Sequence, residues 1–332
     1  MLKSVAKSIV NRFSALAGPQ RWPLPQPRLW VLMYHRVLPR VEALAQREEP
    51  GMYVTPETFD LHLCTLVDGM TPVSLSDWVQ RRADKQPLPH RAVAITFDDG
   101  WRDNYTHAWP VLKKYSVPAT IFAVSGMIGT KRTFWPNRLM QLLSERNNIG
   151  EWPSGLEWLT DVSPVKPEQL TTPEALSDLV QACKRFSDIE MYKRLDALPE
   201  TTTAASPMRT MLDWDEIREM QASGLVEIGS HTENHCRLLE SLDAEIAGHE
   251  ILASKRTLED RLGGTVQSFC YPNGDVSALA ARLVGENYRL AVTTQRGING
   301  AKQDPYRLKR IGLHEDVANT RTAFLARLSG WR

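Results

Sequence analysis

The sequence predicts a parallel α/β architecture of the barrel type that carries a mostly helical insertion. Three observations support this. Short apolar runs rich in β-branched residues alternate with helical patterns, as strands and crossover helices of a parallel sheet do. That rhythm breaks between roughly Gly129 and Met211 and then resumes. A length of 332 residues is long for one ordinary domain but usual for an α/β barrel, or for one domain with an insertion.

In chain order, residues 1–28 form an N-terminal segment ending in the Pro-rich PLPQP. In MLKSVAKSIVNRFSALAGPQRW, Leu2, Val5, Ile9, Phe13 and Leu16 fall near one helical face, with Lys3, Lys7 and Arg12 among the polar positions. The pattern reads first as a helix packed on its own domain or a frayed terminus. Its second reading is an amphipathic helix in peripheral contact with a membrane. RLWVLMYHRV is a buried strand emerging at Tyr34 and His35. A helix follows Pro56 with Phe59, Leu63 and Leu66 on one face, then a short strand near Thr71–Ser74 and a helix from about Ser76. AVAITF is a strand running into DDGWRDNY and a helix to Tyr115, and VPATIFAV is another strand. Residues 129–211 are richer in polar residues and proline; Leu176, Leu179, Val180 and Cys183 make a helical stripe there. After them come a helix with acidic residues in its first turn and Gly224 as its stop, the strand LVEIGS, and a helix from about Leu242 to Leu262. The strand SFCYP, a helix over 276–287, and the strands YRLAVTT and YRLKRIGL complete the barrel-like unit, 29–318, before a terminal helix in 319–332.

Composition narrows the function classes. A net charge of +1 gives no electrostatic case for nucleic acid. Cys64, Cys183, Cys236 and Cys270 are scattered without a C-x-x-C pair, and read as reduced core residues. No apolar run approaches the roughly 20 residues of a membrane span, and the N-terminus lacks the apolar stretch of a signal peptide. The expected location is therefore cytoplasmic, with peripheral contact at the inner membrane face as the second reading of the N-terminal helix.

Two stretches carry chemistry. Ala92–Phe97 stops abruptly at adjacent carboxylates, Asp98 and Asp99, followed by Gly100. Asp-Gly is common turn chemistry, but paired carboxylates at the carboxyl end of a parallel strand also fit a catalytic site. IGSHTENH places His231 and His235 four apart just after a strand; one helical turn between them would put both imidazoles on one side. Two histidines and one carboxylate make the three-ligand set of a catalytic zinc site with an open position. One aspartate of the pair then binds metal and the other is free to act as general base. The cation also offsets the repulsion between the two carboxylates.

TFDDG, then SHTENH, then FCYPNG, in that order, resembles the polysaccharide deacetylases of the NodB-homology family, carbohydrate esterase family 4. VLMYHRV and RLKRIGL are similar to the branch found in surface-polysaccharide and lipopolysaccharide biosynthesis. The resemblance covers roughly residues 29–315. It implies a distorted (β/α) barrel of about seven strands, and metal-dependent hydrolysis of an N-acetyl or other N-acyl group on an amino sugar, polymeric or lipid-linked. By matching position, Asp98 is the base and Asp99, His231 and His235 bind one divalent ion, zinc first, with cobalt, nickel or manganese as alternatives. The third motif implies an oxyanion donor from the main chain of Tyr271, with Pro272 and Asn273 beside the substrate.

The sequence also departs from the family. The arginine that many members carry before the third-motif proline is missing, since Ser268, Phe269 and Cys270 occupy that stretch, which removes a partner of the base. The Leu-x-His pattern of the fifth motif is replaced by GLHED, so the acid is either His314 or His35, which should also sit at a strand's carboxyl end. Trp101 is expected to line the pocket. At least two of Trp135, Trp152 and Trp158 are expected to cover the insertion rather than stack on sugar. His107 and His249 read as surface or packing residues. The rival functions are a binding-only barrel and a different metallohydrolase; H-E-x-x-H is absent, because Thr232 follows His231.

Overall fold

A computed structural model describes residues 2–22, 24–46, 48–144, 150–163, 165–170, 172–198 and 209–331, without the side chains of residues 2–9, 50, 144, 173 and 174. Seven parallel strands close a barrel: β1 (Arg28–Tyr34), β2 (Arg91–Phe97), β3 (Ala119–Ala123), β4 (Val226–Ser230), β5 (Ser268–Cys270), β6 (Leu290–Arg296) and β7 (Leu308–Gly312). Around the barrel the order is β1, β7, β6, β5, β4, β3, β2 and back to β1. Closure rests on the β1–β2 pairing, in register from Arg28↔Arg91 to Tyr34↔Phe97. Both strands are almost wholly buried, as expected of a parallel sheet wrapped by helices. Asn299–Gly300 adds a short antiparallel partner to β1, which has no clear signature in the sequence.

The β6–β7 pairing is irregular. Leu308 faces Val292 but Arg310 faces Arg296, so β6 carries two extra residues there. Such bulges re-aim side chains; here the carbonyl of Thr293, inside the bulge, accepts from Arg310 Nε at 2.9 Å.

The flanking helices begin where the sequence places caps. Thr55 caps Pro56–Val67, Ser74 caps Leu75–Ala83, and Asp213 forms a capping box with Glu216 at Trp214–Ala222. Gly224 follows that last helix at φ +75°, a left-handed position that costs glycine nothing. Phe59, Leu63 and Leu66 are buried as their spacing predicts. Three helices of the insertion, Trp135–Ser144, Pro173–Cys183 and Asp188–Asp196, pack on a core of their own that includes Leu139, Leu179, Cys183, Met191 and Leu195. Trp152 and Trp158 cover this core, while Trp135 lies inside it. The cysteine expectation fails at one position: Cys64 is exposed, whereas Cys183, Cys236 and Cys270 are buried and all four are free.

The N-terminal helix, Leu2–Ala17, packs on its own domain against the C-terminal helix Arg321–Leu328, and the described end of the expected face points away from it. Ser14 and Ala15 are buried, small enough to let the two helices approach closely, and Phe13 and Leu16 are exposed. The side chains of Leu2, Val5 and Ile9, and of Lys3 and Lys7, lie outside the described set. Among the described residues no helix is long and apolar enough to cross a membrane.

Candidate active site

The chain turns sharply as it leaves β2. Asp98 N–H still donates to the Tyr34 carbonyl of β1 at 2.9 Å, and then Asp99 and Gly100 both adopt left-handed conformations, with φ +76° and +85°. Aspartate tolerates this region better than most residues, and a strained non-glycine there is typical of a functional site. Asp-Gly is thus a turn as well as a pair of functional groups: the turn separates the two carboxylates into different environments.

Asp99 faces the histidines that follow β4. Its Oδ1 lies 3.5 Å from His231 Nε2 and 3.5 Å from His235 Nε2. Two ligands at about 2.1 Å from one tetrahedral ion would be about 3.4 Å apart, so these separations suit a shared cation. His231 Nδ1 donates to the Cys270 carbonyl at 2.8 Å, which fixes the tautomer that leaves Nε2 free to ligate. Trp101 Nε1 donates to the other oxygen of Asp99 at 2.8 Å and aims the carboxylate. The expected helical turn between the histidines is not formed. Residues 231–235 are irregular, with Thr232 and His235 left-handed (φ +63° and +60°), and it is this loop geometry that converges the imidazoles. The shared-face logic of a helix is replaced by a loop anchored where His231 N–H meets the Ala123 carbonyl of β3 at 3.0 Å.

The electrostatics ask for a cation. Burial would raise Asp99, but His231 and His235 outweigh it and hold the carboxyl well below its ordinary value. Burial opposes charge on His231 too, yet Cys270, Asp99 and Asp98 prevail and push it well above the usual histidine range. Burial and the neighbouring His231 push His235 down to about 4. With no ion bound, the site favours one proton on the imidazole pair; a metal ion competes for that same position.

Asp98 has a different partner. Arg310 of β7, fully buried, donates from Nη1 to Oδ1 at 2.6 Å and from Nη2 to Oδ2 at 2.7 Å. Burial alone would raise the Asp98 carboxyl; the charge and paired hydrogen bonds of Arg310, helped by His231 and His35, bring it below its ordinary value. The expectation that the base lacks an arginine is therefore corrected: the guanidinium arrives from another strand. It also touches Cys270 Sγ at 3.2 Å, in the very segment where the arginine was missed. The sequence held a signal, because an arginine inside the apolar strand LKRIG must be buried, and a buried charge needs a partner. Asp98, His231 and Cys270 form a second close cluster, but Arg310 already occupies both oxygens of Asp98, so this cluster does not suit a cation.

Asp98, Asp99, Trp101, His231 and His235 open on a cleft of about 290 Å³ at the carboxyl ends of the strands. His35 lines it, 22% exposed, with Nε2 3.9 Å from Asp98 Oδ2. Asn273 and Thr294 line it as well. Three expectations are corrected here. Tyr271 and Pro272 are not among the lining residues; Tyr271 is fully buried and its N–H donates to the Val292 carbonyl at 3.3 Å, so the sheet has taken the expected oxyanion donor. His314 does not line the cleft either. Its Nδ1 is buried without a hydrogen-bond partner among the described residues, and burial lowers its titration. His107 and His249 lie elsewhere, beside Glu42 and Glu233.

Two walls were not foreseen. The insertion supplies Phe134, Trp135, Asn137, Met140, Lys184 and Asp188, so it shapes the cleft directly. Asp188 binds Trp135 Nε1 at 2.8 Å and Arg237 Nε at 3.0 Å, tying the insertion to the loop after His235. Opposite stand Glu48 and Glu49. Glu48 pairs with buried Arg36, which also bonds Asp103 at 2.9 Å and stacks over Trp101 with its guanidinium carbon 4.2 Å from the ring centroid.

Comparison with known proteins agrees with this geometry. The profile of the polysaccharide deacetylase family matches residues 85–289. YxkH of Bacillus subtilis (strain 168), assigned by its name to the polysaccharide deacetylases, is 34% identical over 119 residues, 35% of this chain and 38% of that protein. The poly-beta-1,6-N-acetyl-D-glucosamine N-deacetylase of Staphylococcus epidermidis is 36% identical over 81 residues, 24% of this chain and 28% of its own length. The matches thus span well under half of these curated relatives. The solved structure of IcaB from Ammonifex degensii shares the fold, with a TM-score of 0.59 and 21% identity over 91% of this chain and 97% of that one. With most of its barrel matched by the family profile, this chain belongs to the polysaccharide deacetylase family.

Proposed function

We propose that this protein hydrolyses the N-acetyl group of amino sugars in a polysaccharide, releasing acetate and leaving a free amine on the sugar. The observation that carries the reading is the meeting, in one cleft, of a three-ligand cation site and a separate ionised carboxylate, with a histidine beside it. The related Staphylococcus epidermidis enzyme is named for poly-beta-1,6-N-acetyl-D-glucosamine, and polymers of that class are the first substrates to test.

Asp99, His231 and His235 would hold the divalent ion, and two imidazoles with one carboxylate suit zinc, with cobalt, nickel and manganese as substitutes. When bound, the ion supplies Lewis acidity toward water and the amide carbonyl. The chain's own residues do the rest. Asp98, kept ionised by Arg310, takes the proton of the attacking water as its oxygen bonds to the carbonyl carbon. The negative charge that develops on the carbonyl oxygen needs a donor in the cleft. Asn273 lines it and takes over the role expected of Tyr271, through its main-chain N–H. His35 then gives a proton to the nitrogen as the carbon–nitrogen bond breaks; it reaches the cleft, whereas His314 does not.

Acetate release from N-acetylglucosamine oligomers by zinc-loaded protein tests the proposal. Release that stops on chelation and returns with the ion supports it. Metal-loaded protein that is folded yet releases no acetate from any N-acetylated glycan would overturn it.

A further inference from the structure

We propose that the surface built by the N-terminal and C-terminal helices docks the protein on an anionic lipid bilayer. Ser14 and Ala15 seat the first helix on its partner, and Gln20 Nε2 locks the junction by donating to the Leu325 carbonyl at 3.0 Å. The end of the helix therefore has its structural contact already, and Phe13 and Leu16 are not buried in it. Phe13 is 64% exposed, Leu16 66%, Trp22 59% and Trp331 54%. The rings of Phe13 and Trp331 stack with centroids 6.2 Å apart, joining the two ends of the chain into one patch. Among the described residues, the large aromatic side chains most exposed to water are Phe13, Trp22 and Trp331, all in the two terminal segments. A monomer surface of this kind marks an interaction site.

Charge selects the partner. Residues 1–22 and 317–332 hold seven of the chain's 40 lysines and arginines and none of its 39 acidic residues, so these two segments carry +7 while the remainder carries −6. Arg12 and Arg21 are exposed beside the apolar residues, Arg21 with one nitrogen, Nε, donating to the Ala15 carbonyl at 3.4 Å. Arg321 is paired to Asp68 at 3.3 Å, and Arg327 donates to the Gly312 carbonyl, so these two act locally. A second copy of the chain would set like charges against each other, whereas an anionic bilayer satisfies both the basic residues and the apolar ones. Tryptophan at such a boundary has its apolar body and polar N–H placed in the two phases they prefer. Residues 20 and 21 bind Arg91 at the amino end of β2 through their carbonyls, so docking around Trp22 leaves the cleft, at the carboxyl ends of the strands, open to water.

The experiment is cosedimentation of the full-length protein with phosphatidylcholine vesicles, with and without phosphatidylglycerol. Binding to the anionic vesicles alone, weakened by salt, is the expected result. The double variant Phe13→Ser, Trp331→Ser should bind roughly tenfold more weakly, as loss of two interfacial anchors implies. Both positions are exposed and outside the cleft, so its melting temperature and acetate release should match the parent. Should that variant fold poorly, Arg12→Glu with Arg21→Glu keeps the apolar packing and is expected to abolish the preference for anionic vesicles. Absence of binding to anionic vesicles overturns the proposal. Equal binding by parent and variants does so too, as does sedimentation equilibrium showing the patch consumed in a stable dimer. Of these readouts only acetate release involves the catalytic reading; vesicle binding, melting temperature and oligomeric state test the proposal without it.

Discussion

Replacing Arg310 with methionine removes the guanidinium while keeping a side chain of comparable length in a buried slot. The change strands Asp98, which loses bonds of 2.6 and 2.7 Å, and leaves the Thr293 carbonyl without the 2.9 Å donor that the β6 bulge was built around. Removing one partner of a buried ion pair costs about 3–5 kcal/mol. For a domain of this size each kcal/mol moves the midpoint by about 2–4 °C, so the melting temperature should fall by roughly 6–20 °C. The sign of the pH dependence follows from what opposes what at Asp98. In the parent, Arg310 overrides burial and depresses the carboxyl, so the pair stabilises the fold above the ordinary carboxyl value and that contribution is lost as acid protonates Asp98. In the variant only His231 and His35 remain against burial and the carboxyl rises, so the penalty is largest near neutrality and shrinks as the pH falls through about 4. Melting curves of chelator-treated parent and variant across this range read the difference without a bound ion. In the metal-loaded enzyme the acid limb of kcat/KM should move to higher pH, because the carboxylate that takes the proton is no longer held ionised. Arg310→Lys should fall between the two, since one ammonium cannot span both oxygens. An Arg310→Met protein with parental melting temperature and an unmoved acid limb would refute the reasoning.

Other outcomes follow from the same geometry. Asp98→Asn should keep its ion by elemental analysis and lose about 10²–10⁴-fold in kcat, the range of general-base contributions. His231→Ala should abolish both the bound ion and the rise in melting temperature on adding zinc, because two ligands remain of three. Trp101→Phe deletes the donor to Asp99 and should weaken metal affinity about 10–100-fold in a competition titration. His35→Gln should lower kcat with the ion retained, whereas His314→Gln should leave kcat near parental, because only His35 reaches the cleft.

What the sequence disclosed and what it withheld divide along a physical line. Strands, helix faces and the insertion were readable because their signals are local: β-branched runs, the face of Phe59, Leu63 and Leu66, the stripe at Leu176, Leu179, Val180 and Cys183. The carboxylate pair and the two histidines were readable because residue type and short spacing already encode ligand chemistry. The site's supports are of another kind. Arg310 meets Asp98 across 212 positions of sequence, through a register shift that no periodicity announces. A motif fixes which segment approaches the cleft but not which N–H the sheet has already taken: Tyr271 N–H bonds Val292, while Asn273, two residues on, lines the cleft. The N-terminal helix shows the same limit in the opposite direction. The sequence offers an apolar stripe there, yet at its described end packing chose the small residues Ser14 and Ala15 and left Phe13 and Leu16 in water. An amphipathic pattern states that a face is apolar; only the packed structure states whether the protein has used that face or kept it for something else.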